Sequence, residues 1–91
     1  MYKIIWSSKF KRQFKKVLNA PSFKSSVFDQ VVNALSRGEV LDYKYHDHQL
    51  KGDLQDYREC HLHSDLLLIY KKHNDVLVIV FVKIGSHSEL L

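Results

Sequence analysis

The sequence predicts an α+β domain ordered β-α-α-β-β-β, a two-helix hairpin packed on one face of a small, twisted antiparallel sheet. Two observations carry this. Before Gly38, apolar side chains recur at helical spacing in two blocks separated by Pro21. From Tyr57 onward the chain alternates or runs apolar in three β-rich segments with turn residues between them.

"YKIIW" (residues 2–6) is β-branched and aromatic and reads as the first strand. Ser7 or Ser8 then offers an N-cap. Phe10, Phe14, Val17 and Leu18 form one stripe of a first helix, whose other face carries Lys9, Lys11, Arg12, Lys15 and Lys16. Pro21 stops it and Ser22 is placed to cap the next. Phe23, Val27, Val31 and Leu35, with Phe28 and Val32, give that second helix its apolar face, and Gly38 falls where a C′ glycine belongs. Residues 38–56 show no period and read as a long loop, a feature often functional in a small domain. "YRECHLH", "DLLLIYKK" and "DVLVIVFVKI" then form a meander, with turn chemistry at residues 64–65 and 73–75.

At 91 residues the chain is expected to be one domain, residues 1–91, with 45% apolar residues to fill one core. No apolar run reaches the ~20 residues of a membrane span, and the basic N-terminus lacks the apolar centre of a signal peptide. With a single cysteine, a cytoplasmic setting is expected. The net charge is +4, and residues 1–28 hold seven Lys/Arg before the first acid, Asp29. Such a block suits a nucleic acid or an acidic protein partner, and equally a solvated face.

The reactive residues concentrate in "RECHLHSD", residues 58–65. Strand alternation puts Glu59, His61 and His63 on one face and Arg58, Cys60 and Leu62 on the other. Cys60 is thereby separated from the histidines and reads as a core residue, so no metal site or cofactor is expected. His46 and His48 lie in the long loop and His87 follows the last strand. If the meander brings residue 61 near residues 83–87, His61, Asp65 and His87 surround one cleft. Imidazoles titrate near pH ~6.5 and serve as both proton acceptors and donors at neutral pH. A basic cleft with such groups and no activated Ser or Cys points to phosphoester chemistry, and RNA carries its own nucleophile, the 2′-OH.

The segments "DHQLKG" (47–52), "YRECH" (57–61), Asp65 opening a strand with "LLIYK", and "GSHSEL" (85–90) resemble the YafQ-like branch of the RelE superfamily of bacterial toxins. The resemblance covers residues 43–91 by motif and the first 42 only by pattern. It implies an mRNA interferase, the toxin of a type II toxin–antitoxin pair in the bacterial cytoplasm. Its substrate would be mRNA at the ribosomal A site, and its partner a cognate antitoxin, in a neutralising complex such as a heterotetramer.

Carried over by motif, the catalytic set is His48, His61, Asp65 and His87. Lys83 stands where relatives carry arginine, and Lys51, Arg58, Lys11, Arg12, Lys15 and Lys16 are the further RNA-binding candidates. His61 or Asp65 would act as base and His87 as acid, with His48 and Lys83 on the phosphate. Activity in chelator and a bell-shaped pH profile are expected. Leu66 and Leu91 replace family aromatics that could stack on bases, and Tyr57 could supply a ring or merely pack. A gyrase-directed ParE-like toxin, an inactive interaction module of the same fold, and a small metal-dependent hydrolase remain the alternatives.

Overall fold

The computed structural model describes residues 1–90; the expectation for Leu91 lies outside the described residues. The order is β1 (Lys3–Trp6), α1 (Ser8–Leu18), α2 (Ser25–Ser36), a 3₁₀ turn (Tyr43–Tyr45), β2 (His48–Gln49), a second 3₁₀ turn (Gly52–Leu54), β3 (Arg58–His63), β4 (Leu66–His73), β5 (Val78–Gly85) and α3 (His87–Leu90). The α+β class and the helix hairpin are as the sequence predicts.

Local chemistry explains the helix ends. The Ser7 hydroxyl accepts from the Phe10 N–H at 3.0 Å and so caps α1. Ser22 does not cap α2: the N-cap is Lys24, with no side-chain bond, because the chain first makes a turn closed by Phe23 N–H to the Ala20 carbonyl. At the other end Gly38 (φ 75°) donates to the Leu35 carbonyl and Glu39 donates to that of Ala34, a Schellman closure. A Cβ at residue 38 would lie 3.2 Å from the Tyr2 ring. Gly38→Ala is therefore expected to destabilise the chain by about 1–2 kcal/mol, the cost of left-handed backbone for an L-residue, read from denaturant midpoints.

The five strands form one sheet in the order β1-β5-β4-β3-β2. β2 to β5 pair antiparallel, whereas β1 runs parallel to β5, Lys3 opposite Val78. The sheet is thus mixed rather than wholly antiparallel. A pairing so distant in sequence depends on where the helices return the chain, which no local pattern specifies. β2 and α3 are also additions to the expected order; two-residue and four-residue elements are too short to show a period. β4 continues through His73, and the turn before β5 falls later than expected, with Leu77 at φ 54°.

The helices pack on one face of the sheet over Phe10, Phe28, Val31, Cys60, Leu68, Tyr70, Ile79 and Phe81. Aromatic rings dominate there: Phe10 lies 5.0 Å from Trp6, 5.4 Å from Phe14 and 5.4 Å from Phe81, centroid to centroid. Across the sheet a smaller apolar cluster joins Leu67, Ile69 and Leu90 with Leu50, Tyr57 and Val82. Among the described residues no helix is long and apolar enough to cross a membrane.

Candidate active site

β2 is short, but it decides the site. It sets His48 opposite Glu59 at the edge of the sheet. Glu59 and His61 are two residues apart on β3 and share a face. Glu59 is only 3% exposed, yet it is a carboxylate. Its Oε1 lies 3.2 Å from His61 Nε2 and 3.8 Å from His48 Nε2, while Oε2 is buried without a hydrogen-bond partner. A buried carboxylate oxygen left unpaired costs on the order of 1–3 kcal/mol or more, a cost typical of groups kept for chemistry rather than stability.

The ring of His48 is oriented from behind. Its Nδ1 lies 2.7 Å from the His46 carbonyl. A carbonyl only accepts, so Nδ1 carries the proton and Nε2 is left facing Glu59. His46 reaches this position through left-handed backbone, φ 49° and ψ 41°, at the end of the 3₁₀ turn. The ring centroids of His46 and His48 lie 5.6 Å and 6.4 Å from that of His61. An open groove of about 810 Å³ runs over these three imidazoles, with Lys44, Tyr45 and His63 on its walls.

His63 does not share the face of Glu59 and His61, contrary to strict alternation. A bulge between His61 and His63 shifts the register, and the Asp65 N–H donates to His63 Nδ1 at 3.3 Å. Cys60 is fully buried among apolar side chains, and burial pushes its thiol pKa well up, so it is poorly suited to be a thiolate ligand. Among the described residues, no three His, Cys, Asp or Glu side chains converge closely enough to hold a metal ion.

Asp65 and His87 form a second group. The His87 backbone N–H donates to Asp65 Oδ1 at 3.2 Å. On the other side, Glu89 Oε1 accepts from the N–H and the hydroxyl of Ser86, both at 2.8 Å, which closes a capping box at the start of α3. These bonds hold the Glu89 carboxyl below its usual pKa. Leu67 separates this group from His61, since His61 pairs with Leu67 and Leu67 with Gly85. With strands roughly 4.8 Å apart, the backbone at Gly85 lies about 10 Å from that at His61. Asp65 is therefore placed to hold His87, and it lies apart from the three imidazoles over the groove.

Lys83 sits two strands from Glu59, in the row Glu59–Ile69–Lys83, on the same face. Arg58 is engaged elsewhere: its Nη2 lies 3.1 Å from Asp47 Oδ2, on the face away from Glu59. The Tyr70 hydroxyl donates to Asp47 Oδ1 at 2.6 Å, so this trio pins the loop that carries His46 and His48. Burial and then the bond to Asp47 raise the Tyr70 phenol above its ordinary value of 10.0. The folded state holds this proton more tightly than the unfolded one, so its contribution to stability is intact below the phenol's ordinary pKa and is lost as pH rises above it. Stability measured from about pH 8 to 11 should fall less steeply in Tyr70→Phe than in the wild type.

Lys51 is exposed at the second 3₁₀ turn, and Lys11, Arg12 and Lys15 are exposed on the helix layer. Lys16 lines a groove with Asp65, Ser86 and Glu89. Leu66 is 7% exposed and packs into the main core, with its remaining surface on the wall of that same groove. Tyr57 packs on the second apolar cluster, with the Lys71 ammonium 5.6 Å from its ring centroid. Glu59 is the residue sequence reasoning passed over. Its alternation with His61 was the available signal, and a strand glutamate ordinarily reads as solvated.

Residues 2–91 match the family described as the bacterial toxin of type II toxin–antitoxin systems, YafQ. The chain belongs to the YafQ family. A relative from Haemophilus influenzae carried under the YafQ toxin name is 30% identical over 66 residues, 70% of this chain, and the match spans 65% of that relative's own length. A metal-bound toxin from Helicobacter pylori is similar over 100% of both chains, at 41% identity and a TM-score of 0.90. YafQ of E. coli, solved in complex with DinJ, matches at 24% identity and a TM-score of 0.86 over 100% of this chain and 99% of that one, a likeness of fold alone.

Proposed function

We propose that this YafQ-family chain is an mRNA endoribonuclease that cleaves by general acid–base chemistry through the RNA 2′-OH. The observation that carries the reading is the buried Glu59 carboxylate facing two imidazoles, His48 and His61, that line an open groove. His61, with the Glu59 carboxylate 3.2 Å from its Nε2 to orient the ring, takes the proton of the 2′-OH. The 2′-oxygen attacks phosphorus, and the bond to the 5′-oxygen breaks. His87, held by Asp65 and the Ser86–Glu89 capping box, gives that oxygen its proton. The products are a 2′,3′-cyclic phosphate and a free 5′-hydroxyl. His48 and Lys83 hold the non-bridging oxygens and offset their growing charge. Every step uses groups of this chain, so cleavage of ribosome-free RNA should survive chelator.

The exposed Lys11, Arg12, Lys15 and Lys16 are suited to track RNA phosphates with salt-dependent affinity. Ribosome-bound mRNA is the substrate that the family suggests. The complex of E. coli YafQ with DinJ supports a cognate antitoxin as the neutralising partner. The gyrase alternative has no use for the Glu59–His48–His61 constellation, and supercoiling by gyrase should be unaffected by this protein.

The test is to map mRNA 5′ ends in cells after inducing the wild type and His87→Ala in parallel. Cuts within translated frames that vanish in His87→Ala are expected. Identical cuts in both would remove His87 from the mechanism, and their absence from the wild type would overturn the ribonuclease reading.

A further inference from the structure

Tyr43 is 87% exposed, the one aromatic among the exposed large hydrophobic residues of the described chain. Exposure here does not mean slack. Asp42 caps the 3₁₀ turn by accepting from the Lys44 N–H at 3.0 Å, and the next residue, Tyr45, is buried with its hydroxyl 3.3 Å from Gln30 Oε1. The turn thus holds a phenol ring out in solvent from a fixed base.

That ring begins a series. Its centroid lies 5.6 Å from the His46 imidazole, which lies 5.6 Å from His61, itself in contact with Glu59. His46 occupies left-handed backbone, which disfavours a residue with a side chain and is retained chiefly where position matters. A second open groove of about 520 Å³, lined by Tyr43, His46 and His48, meets the groove over His61 along the His46–His48 ridge. A scissile phosphodiester has a nucleotide on each side, and two grooves meeting at the imidazoles offer a place for each.

We propose that Tyr43 and His46 form a nucleobase-stacking subsite for one of the two nucleotides flanking the scissile phosphate of single-stranded RNA. The inference rests on the ribonuclease reading and adds to it where the substrate is gripped. Flat π-faces suit any base, so the subsite contributes affinity and register more than sequence choice. Lys44, beside it on the same turn, supplies charge for the adjoining phosphate.

The probe is a labelled RNA oligonucleotide spanning a mapped cut, with a single 2′-deoxy nucleotide at the scissile position so that it binds without being cleaved. Its dissociation constant is measured for the wild type, Tyr43→Phe, Tyr43→Leu and Tyr43→Ala, with melting temperatures confirming that each is folded. Tyr43→Phe should bind as the wild type does, and Tyr43→Leu and Tyr43→Ala should each bind about 5- to 150-fold more weakly. An abasic nucleotide beside the scissile position should abolish the difference between wild type and Tyr43→Ala. Equal affinity of Tyr43→Leu and Tyr43→Phe would overturn the stacking role while leaving the ribonuclease reading intact. Unchanged RNA affinity in Tyr43→Ala with a weakened antitoxin complex would assign the ring to a protein interface instead. A wild type that neither binds this RNA nor cleaves its all-ribose counterpart would overturn both.

Discussion

If the proposed ribonuclease reading holds, replacing His61 by alanine is expected to lower the single-turnover rate of RNA cleavage by about 10²–10⁴-fold, the range for one positioned acid or base. His61 is half-buried, and its Nε2 lies 3.2 Å from the Glu59 carboxylate, so the substitution removes the group that the carboxylate serves. Glu59→Gln keeps the shape and removes the charge. It should also slow cleavage strongly, but it should change the melting temperature little, because Oε2 is already without a partner and an amide oxygen can still face His61 Nε2 in place of Oε1. The pairing of lost activity with retained stability separates a catalytic carboxylate from a structural one. A cleavage rate unchanged in His61→Ala would remove the imidazole from proton transfer.

The largest effect on stability is expected at Phe10. Its side chain is 0% exposed and sits among Trp6, Phe14, Phe28 and Phe81, where α1 meets β5. Phe10→Ala leaves a ring-sized void in an aromatic cluster whose neighbours are fixed by two helices and the sheet. The cost should be about 3–5 kcal/mol, a large share of the ~5–15 kcal/mol that holds a domain of this kind together. Phe14, only partly buried on the same stripe, should cost less on truncation. Denaturant unfolding of the two variants side by side reads both values, and equal losses would contradict the packing order.

The fold was legible wherever an element is long enough to show its period. Phe10 and Val17 on α1, and Val31 and Leu35 on α2, point inward as their spacing requires, and Gly38 ends α2 by the closure its position suggests. Cys60 could be placed in the core from strand alternation alone. What escaped was set by contacts distant in sequence or by very short elements. β2 is two residues long, yet its pairing with Arg58 and Glu59 buries the carboxylate and brings His48 to it. The bulge at Leu62 reverses the direction of His63, and alternation contains no signal for it. α3 carries one local signal, Ser86 and Glu89 at capping-box spacing, but its four residues are too few to show a helical period. Arg58, a candidate for phosphate by charge, is instead bound to Asp47, a partner that only the folded loop supplies.

In the proposed mechanism the RNA supplies the nucleophile and this chain moves the protons. The most direct measurement is cleavage of two messages identical but for a single 2′-deoxy nucleotide at a mapped cut, each presented on ribosomes and as free RNA to the purified protein. The all-ribose message should be cut there to give a 2′,3′-cyclic phosphate, and the substituted one should remain whole at that position. A cut of the 2′-deoxy message at the same bond, by whatever rate, would contradict the mechanism.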